Sequence, residues 1–292
     1  MQLTNLDARN KGAMSLRRFP LEPHNHPRHL PFFVHRVYHP RVLGEELDGI
    51  PKPKLDASMT IVAGFNFQGG ILLCADTKIS YAGAINLEST KIFTRTYGNG
   101  AKTAFAIVGT VTAAKMAIQE CEYVLDQLEP NDLSKHKIKQ TIGHIVDSIY
   151  RGHIYNHPHF GTGQAPSFEL LIAAWCPPDA IALWKTEETR VNELVGYECL
   201  GAGTYLGHKL LRQKYSELRH NKISLDDAVF LAARTLSEIK GYDDACGGRS
   251  EFLVVWRDGR MSEVVPFDIT QAKPTIDRAS EDFQRLLSGL SA

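Results

Sequence analysis

Apolar residues fall into short ordered blocks from Thr60 onward and into none before about residue 56. Thr60–Phe67 and Gly70–Lys78 are two β-rich runs separated at Gln68-Gly69, the spacing of a hairpin. Within the second run, Ile71-Leu72-Leu73-Cys74-Ala75 is apolar at every position, so both faces of that strand need cover and a central place in a sheet is predicted. Lys91–Arg95 and Thr103–Val108 read as two further strands of the same sheet.

Helical spacing follows. Ala114, Ile118, Cys121, Leu125 and Leu128 predict a helix over about Thr110–Leu128, and Ile138, Ile142, Ile145, Val146 and Ile149 a second over about Leu133–Tyr155. Strand-like runs return at Phe168–Trp175, Ala180–Lys185 and Arg190–Leu194, then helices at about Thr204–Ser216 and Ser224–Lys240. Ser224 followed by Asp227 fits a helix start, although Asp is a weaker partner there than Glu or Gln. Phe252–Trp256 and Arg260–Val265 form a hairpin about Asp258-Gly259, and Ser280–Leu290 a short closing helix. Strands, two helices, strands, two helices and strands again, without strict β-α alternation, predict an α+β fold. Its expected form is a four-layer αββα sandwich of two antiparallel sheets flanked by helices, one domain over residues 59–292.

Residues 1–58 differ in texture. Seven prolines between Pro20 and Pro53 recur with His24, His26, His29, His35 and His39, and no periodicity survives for more than a few residues. They read as an unstructured leader, a propeptide or a mis-annotated extension. The spacing His24-x-His26-x-x-His29 suggests metal, but no carboxylate or cysteine completes it, and a solvated polar tract explains it better. No metal or cofactor is expected.

Composition narrows the function classes. Lys plus Arg and Asp plus Glu both total 33 in 292 residues, so no net charge points to nucleic acid or an anionic membrane. The five cysteines are odd in number and widely spaced, without a C-x-x-C pair, which argues against a disulfide framework and for a reducing, cytoplasmic setting. No apolar stretch reaches the length of a membrane span, and the N-terminus lacks a secretory signal.

No G-x-S-x-G elbow, H-E-x-x-H helix or G-x-x-x-x-G-K-[ST] loop is present. What remains is a constellation at strand ends: Thr60 opens the first strand, Asp76 closes the second and Lys91 opens the third. In an antiparallel hairpin the start of one strand lies beside the end of the next, so Thr60 and Asp76 are expected as neighbours, with Lys91 pairing alongside. Taken singly, each has a plainer reading: a strand threonine, a turn aspartate and an exposed strand-start lysine.

Six pieces of the chain follow, in order and approximate spacing, the pattern of proteasome β subunits and the bacterial HslV peptidase. They are Thr60-Ile-Val-Ala-Gly, Gly70-Ile-Leu-Leu-Cys-Ala-Asp76-Thr-Lys, Ser89-Thr-Lys91-Ile-Phe, Ile107-Val-Gly109, Gly201-Ala-Gly203 and Asp243-Asp-Ala-Cys246-Gly-Gly248. Over about residues 59–266 the chain resembles this family of N-terminal threonine peptidases. The resemblance implies a nucleophile at Thr60 whose own α-amine, with a pKa of about 7.7–8.0, acts as base. It further implies that Lys91 favours ionisation of the hydroxyl, that Asp76 holds Lys91, and that the Gly109 N–H stabilises the oxyanion. Asp243 and Cys246 take the positions beside the amine, and Ser80, Ile107 and Val111 those of substrate binding. Ile107 and Val111 are apolar, which favours an apolar side chain before the cleaved bond, while a core role fits them equally well. Implied partners are a peptide or unfolded protein, further copies of the chain in stacked rings, and a separate ATPase unfoldase, since no ATPase motif occurs here.

Three departures from that pattern stand out. Ala202 replaces a serine between two glycines, and Cys246 replaces a second serine with a thiol, a weak donor and acceptor that is also commonly just a buried core residue. Asp243 keeps the acidic position. The residue before Thr60 is Met59 and not the glycine that suits self-cleavage. Only 5 of 292 residues are Met, so Met59 reads as the initiator and its simple removal as the event that frees Thr60. Two rivals stay open: a catalytically silent ring subunit that keeps residues 1–58, and an N-terminal-nucleophile amidohydrolase acting on a small amide.

Overall fold

Apolar and β-branched residues on either side of Gln68-Gly69 pair across it. In the computed structural model β1 (Ile61–Phe67) and β2 (Gly70–Asp76) run antiparallel, with Phe67 opposite Gly70 and Val62 opposite Ala75. The structure describes residues 60–81, 85–161, 165–178, 180–217, 223–244 and 246–264, with no side-chain description at 80, 81, 85, 86 and 213–217. The expected leader 1–58 and the expected helix 280–290 lie outside the described residues.

Two five-stranded antiparallel sheets form the centre. One is built from β1 and β2 with β10 (Tyr197–Gly201), β11 (Ser250–Trp256) and β12 (Met261–Glu263), in the order β10-β1-β2-β11-β12. The other holds β5 (Ile92–Thr96), β6 (Lys102–Gly109), β7 (Phe168–Cys176), β8 (Ala180–Glu187) and β9 (Arg190–Leu194) in chain order. A two-stranded ribbon, β3 (Lys78–Tyr81) and β4 (Ile85–Glu88), projects between β2 and β5 in sequence. Every residue of β2 is buried, as its unbroken apolar run demands of a strand covered on both faces.

Period-two alternation distributes the side chains over three cores. Val62, Leu73 and Ala75 meet Ala104, Ala106, Leu171 and Ala173 between the sheets, where the alanines keep the two layers close. Ala63, Phe65, Leu72 and Cys74 face the opposite way, onto Leu231, Ala232, Leu236 and Ile239 of α4 (Leu225–Tyr242), which packs with α3 (Thr204–Glu217). Phe105, Phe168, Leu170 and Ile172 of the second sheet take Ala114, Ile118 and Cys121 of α1 (Val111–Asp126). They also take Ile142 and Val146 of α2 (Lys135–Ile149), whose last turn widens into a π-helical turn, Tyr150–Ile154. Each fully buried Leu, Ile or Phe in these stripes contributes about 1.5–3 kcal/mol relative to exposure. The result is the four-layer αββα order.

At α4 the Ser224–Asp227 pair closes a full capping box: the Ser224 hydroxyl accepts from the Asp227 N–H and the Asp227 carboxylate accepts from the Ser224 N–H, both at 3.1 Å. Asp227, although shorter than Glu, reaches because the Ser224 backbone is extended at φ −74°, ψ 168°.

One sequence expectation is corrected. The strands at Lys91–Arg95 and Thr103–Val108 belong to the second sheet, not to the sheet of β1 and β2. Short apolar strands carry no mark of which sheet they join, because that is decided by stacking across the sandwich and not by local periodicity. Pattern also missed the β3–β4 ribbon and β10, both too short and mixed to alternate visibly. Among the described residues no helix is long and apolar enough to cross a membrane, and no cluster of three or more His, Cys, Asp or Glu is arranged to hold a metal.

Candidate active site

Thr60 sits where β1 begins, and its position is fixed from two sides. Its carbonyl accepts the Ala202 N–H at 2.8 Å, just past the end of β10, and β1 pairs with β2 on the other edge. Gly201, at φ +105°, passes so close that a Cβ there would lie 2.0 Å from the Thr60 carbonyl oxygen. Only glycine fits that crossing.

Asp76 ends β2, opposite Ser250 at the start of β11, and is fully buried. One carboxylate oxygen, Oδ1, accepts the Thr60 hydroxyl, the Ile61 N–H at 3.1 Å and the Lys91 ammonium at 2.7 Å; the other, Oδ2, accepts the Gly247 N–H at 2.9 Å. Lys91 is 1% exposed and arrives from the facing sheet, immediately before β5. This corrects the expectation that it pairs alongside β2. Its backbone is held by the Glu251 carboxylate, which accepts the Lys91 N–H at 2.9 Å, and by the Ile107 N–H, which donates to the Lys91 carbonyl at 3.1 Å. Its Nζ donates to Thr60 Oγ1, to Asp76 and to the Lys78 carbonyl.

Three buried polar side chains, one ending β2 and the others just ahead of β1 and β5, thus meet in direct contact. Burial pushes the Lys91 ammonium below its ordinary range, and the facing Asp76 carboxylate opposes that shift without cancelling it. The Lys91 ammonium therefore holds its proton less tightly than an exposed lysine does.

The remaining predicted residues are placed around this centre to differing degrees. Asp243 follows α4 and is half-buried; its carbonyl accepts the Cys246 N–H at 2.9 Å, next to Gly247, whose own N–H reaches Asp76. Cys246 is 3% exposed, and burial, Asp76 and Asp243 together push its thiol up to about 12. Burial thus disfavours the thiolate, the form in which a cysteine attacks. All five cysteines are free and buried, so iodoacetamide is expected to alkylate none of them in the native protein and all five after denaturation; native labelling of Cys246, read by peptide mass, would contradict this.

Gly109 ends β6 at φ +85°, and a Cβ there would stand 2.3 Å from the Ser167 carbonyl. Its glycine identity therefore has a packing cause in the chain itself, besides any need to admit substrate. Ile107 is 2% exposed in the core between the second sheet and the helices, and Val111, at the start of α1, is partly buried against the same core. Ser80 lies in β3 opposite Asn86, and its side chain is outside the described residues.

Sequence reasoning missed Glu251 and Lys240. Lys240 falls four residues after Leu236 on the apolar stripe of α4, and a charged residue on such a stripe was the available signal. Its Nζ donates to the carbonyls of Gly248 and Arg249, both at 2.9 Å, and to Ser250 Oγ at 2.8 Å.

No family profile and no curated protein matches the chain by sequence. Solved structures do match. An Anbu (Gly-1) mutant from Hyphomicrobium sp. strain MC1 superimposes with a TM-score of 0.62 at 13% identity, over 79% of this chain and 96% of its own. Anbu, an ancestral β-subunit, from Yersinia bercovieri gives 0.62 at 12% identity, over 77% and 96%. The helical assembly of the Anbu complex from Pseudomonas aeruginosa gives 0.63 at 13% identity, over 78% and 96%. At such identities the likeness is one of fold, and the fold this chain adopts is the one these Anbu structures share.

Proposed function

We propose that this chain is a threonine-type endopeptidase subunit of a self-associating, proteasome-like protease, with Thr60 Oγ1 as nucleophile. The observation that carries the reading is the direct contact of the buried Lys91 ammonium with both Thr60 Oγ1 and Asp76. A threonine hydroxyl attacks a carbonyl only when a neighbouring group takes its proton and a nearby positive charge favours the alkoxide. Lys91 supplies the charge, and Asp76 orients Lys91. The α-amine of Thr60, freed by removal of Met59, is the base, at a pKa of about 7.7–8.0.

Attack forms a tetrahedral oxyanion for which the Gly109 N–H is the assigned donor. Collapse expels the new amine terminus, which takes the proton, and leaves an ester on Oγ1 that water then hydrolyses. Peptide or unfolded protein is the substrate class, further copies of the chain and a separate unfoldase the partners, and the cytoplasm the setting; the five free thiols suit a reducing compartment. That one structure sharing the fold is a helical assembly supports self-association. Ala202, which offers no hydroxyl to the amine, favours one rival, a silent subunit of the same assembly.

Intact mass and peptide cleavage decide between them. The natively expressed protein is expected to begin at Thr60, to cleave short fluorogenic peptides and to be blocked by a threonine-directed inhibitor. Cleavage by a chain that still carries residues ahead of Thr60 would refute the mechanism. A chain that keeps residues ahead of Thr60 and is inert toward peptides would favour the silent subunit; one that is inert toward peptides but turns over small amides would favour the small-amide hydrolase.

A further inference from the structure

The 247–250 loop that feeds Asp76 is held by the half-buried ammonium of Lys240. Gly247 gives its N–H to Asp76 Oδ2 at 2.9 Å and accepts the Lys78 N–H at 3.1 Å; Arg249 accepts the Thr77 N–H at 3.0 Å. The loop therefore hangs between the end of β2 and the start of β11, and its backbone supplies the hydrogen bond to Oδ2 of the Asp76 carboxylate. Three of its oxygens, the carbonyls of Gly248 and Arg249 and the hydroxyl of Ser250, converge on one ammonium, that of Lys240. All three acceptors are neutral. Ordinary turns leave such carbonyls to solvent. Here a helix supplies a charged donor at a desolvation cost, which burial registers by lowering the Lys240 proton affinity, while the Asp76 carboxylate opposes that shift.

We infer that Lys240 is a positioning residue for the peptidase reaction, holding the 247–250 loop so that the Gly247 N–H fixes the Asp76 carboxylate under Thr60 and Lys91. This rests on the peptidase reading. The groups facing the Lys240 ammonium and its neighbours are Asp76 and Cys74 on β2, Lys91 ahead of β5, Lys78 on β3, Asp243 and Cys246 in the loop, and Glu251 on β11. Lys240 touches no substrate-facing atom in this arrangement, so its loss acts on the chemical step and not on substrate binding.

The test uses the chain beginning at Thr60 and a fluorogenic peptide. Lys240→Met is expected to lower kcat by on the order of 10- to 100-fold, the effect of a displaced catalytic group, with KM within about twofold of the parent. Lys240→Arg, which keeps a charged donor, is expected to recover most of kcat. Rates are taken per folded chain, from circular dichroism at the assay temperature. If Lys240→Met does not fold, Lys240→Gln, whose shorter neutral amide cannot reach all three oxygens, carries the same comparison. A neutral variant with parental kcat, or one whose loss lies in KM, overturns the inference while leaving the peptidase reading intact. A parent chain that cleaves no peptide overturns both.

Discussion

Thr60→Ala, made in a chain that begins at residue 60, is expected to abolish peptide cleavage by on the order of 10⁴-fold or more while leaving the fold in place. The size of the effect follows from the division of labour proposed for the site. Lys91 and Asp76 polarise and orient, but neither is placed to form the covalent ester, and removing the attacking atom removes the step that the others assist. The cost to stability is small by comparison. Deleting the hydroxyl loses its hydrogen bonds to Asp76 and Lys91, about 1–2 kcal/mol, and the ion pair of those two at 2.7 Å remains. Peptide turnover and a denaturant melt of the same preparation measure both. Thr60→Ser, which keeps the oxygen, is expected to retain measurable activity. Cleavage by Thr60→Ala within tenfold of the parent would move the nucleophile elsewhere.

Lys91→Met is expected to have the largest effect on stability, a loss of about 3–5 kcal/mol, together with loss of turnover. Methionine matches the length of the lysine stem, so packing between the sheets changes little and the measured loss reports the charge. Asp76 keeps its N–H donors, Ile61 and Gly247, but its carboxylate is left in a fully buried place without the cation that touches it. Combining Lys91→Met with Asp76→Asn removes that orphan and is expected to recover about 1–3 kcal/mol of coupling in a double-mutant cycle. The pH dependence has a defined sign. Because the folded protein holds the Lys91 proton less tightly than the unfolded chain does, unfolding takes up protons between the lowered value and the ordinary one. Stability of the parent relative to Lys91→Met therefore rises with pH across that window. A relative stability that falls as pH rises would contradict the burial argument.

Much of this architecture was legible before any coordinates because it depends on local chemistry. The all-apolar run Ile71–Ala75 required a strand covered on both faces, the stripes of α1, α2 and α4 required something to lie on, and the Asp258-Gly259 turn closed its hairpin at the expected place. Thr60 beside Asp76 also followed from antiparallel pairing alone. Lys91 did not. Its sequence neighbours say only that a strand starts there, and whether that strand extends the sheet of β1 or stacks across from it is a question of which apolar faces find each other. Ala104 and Ala106 are small enough to settle it by letting the second sheet approach the first, and that stacking carries Lys91 onto Thr60 from the opposite side.

The same distinction separates the seen from the unseen members of the site. Sequence by itself determined the αββα order of elements and nominated Thr60, Asp76 and Lys91, since periodicity and strand ends are properties of neighbouring residues. Tertiary structure alone decided that the three touch and that Lys91 is dry enough to loosen its proton. It also brought Lys240 and Glu251, 149 and 160 residues beyond Lys91 in the chain, to support them. The reason is physical: burial, like-sheet versus facing-sheet placement and the convergence of hydrogen-bond donors depend on contacts between distant segments. No window of sequence contains both partners of such a contact.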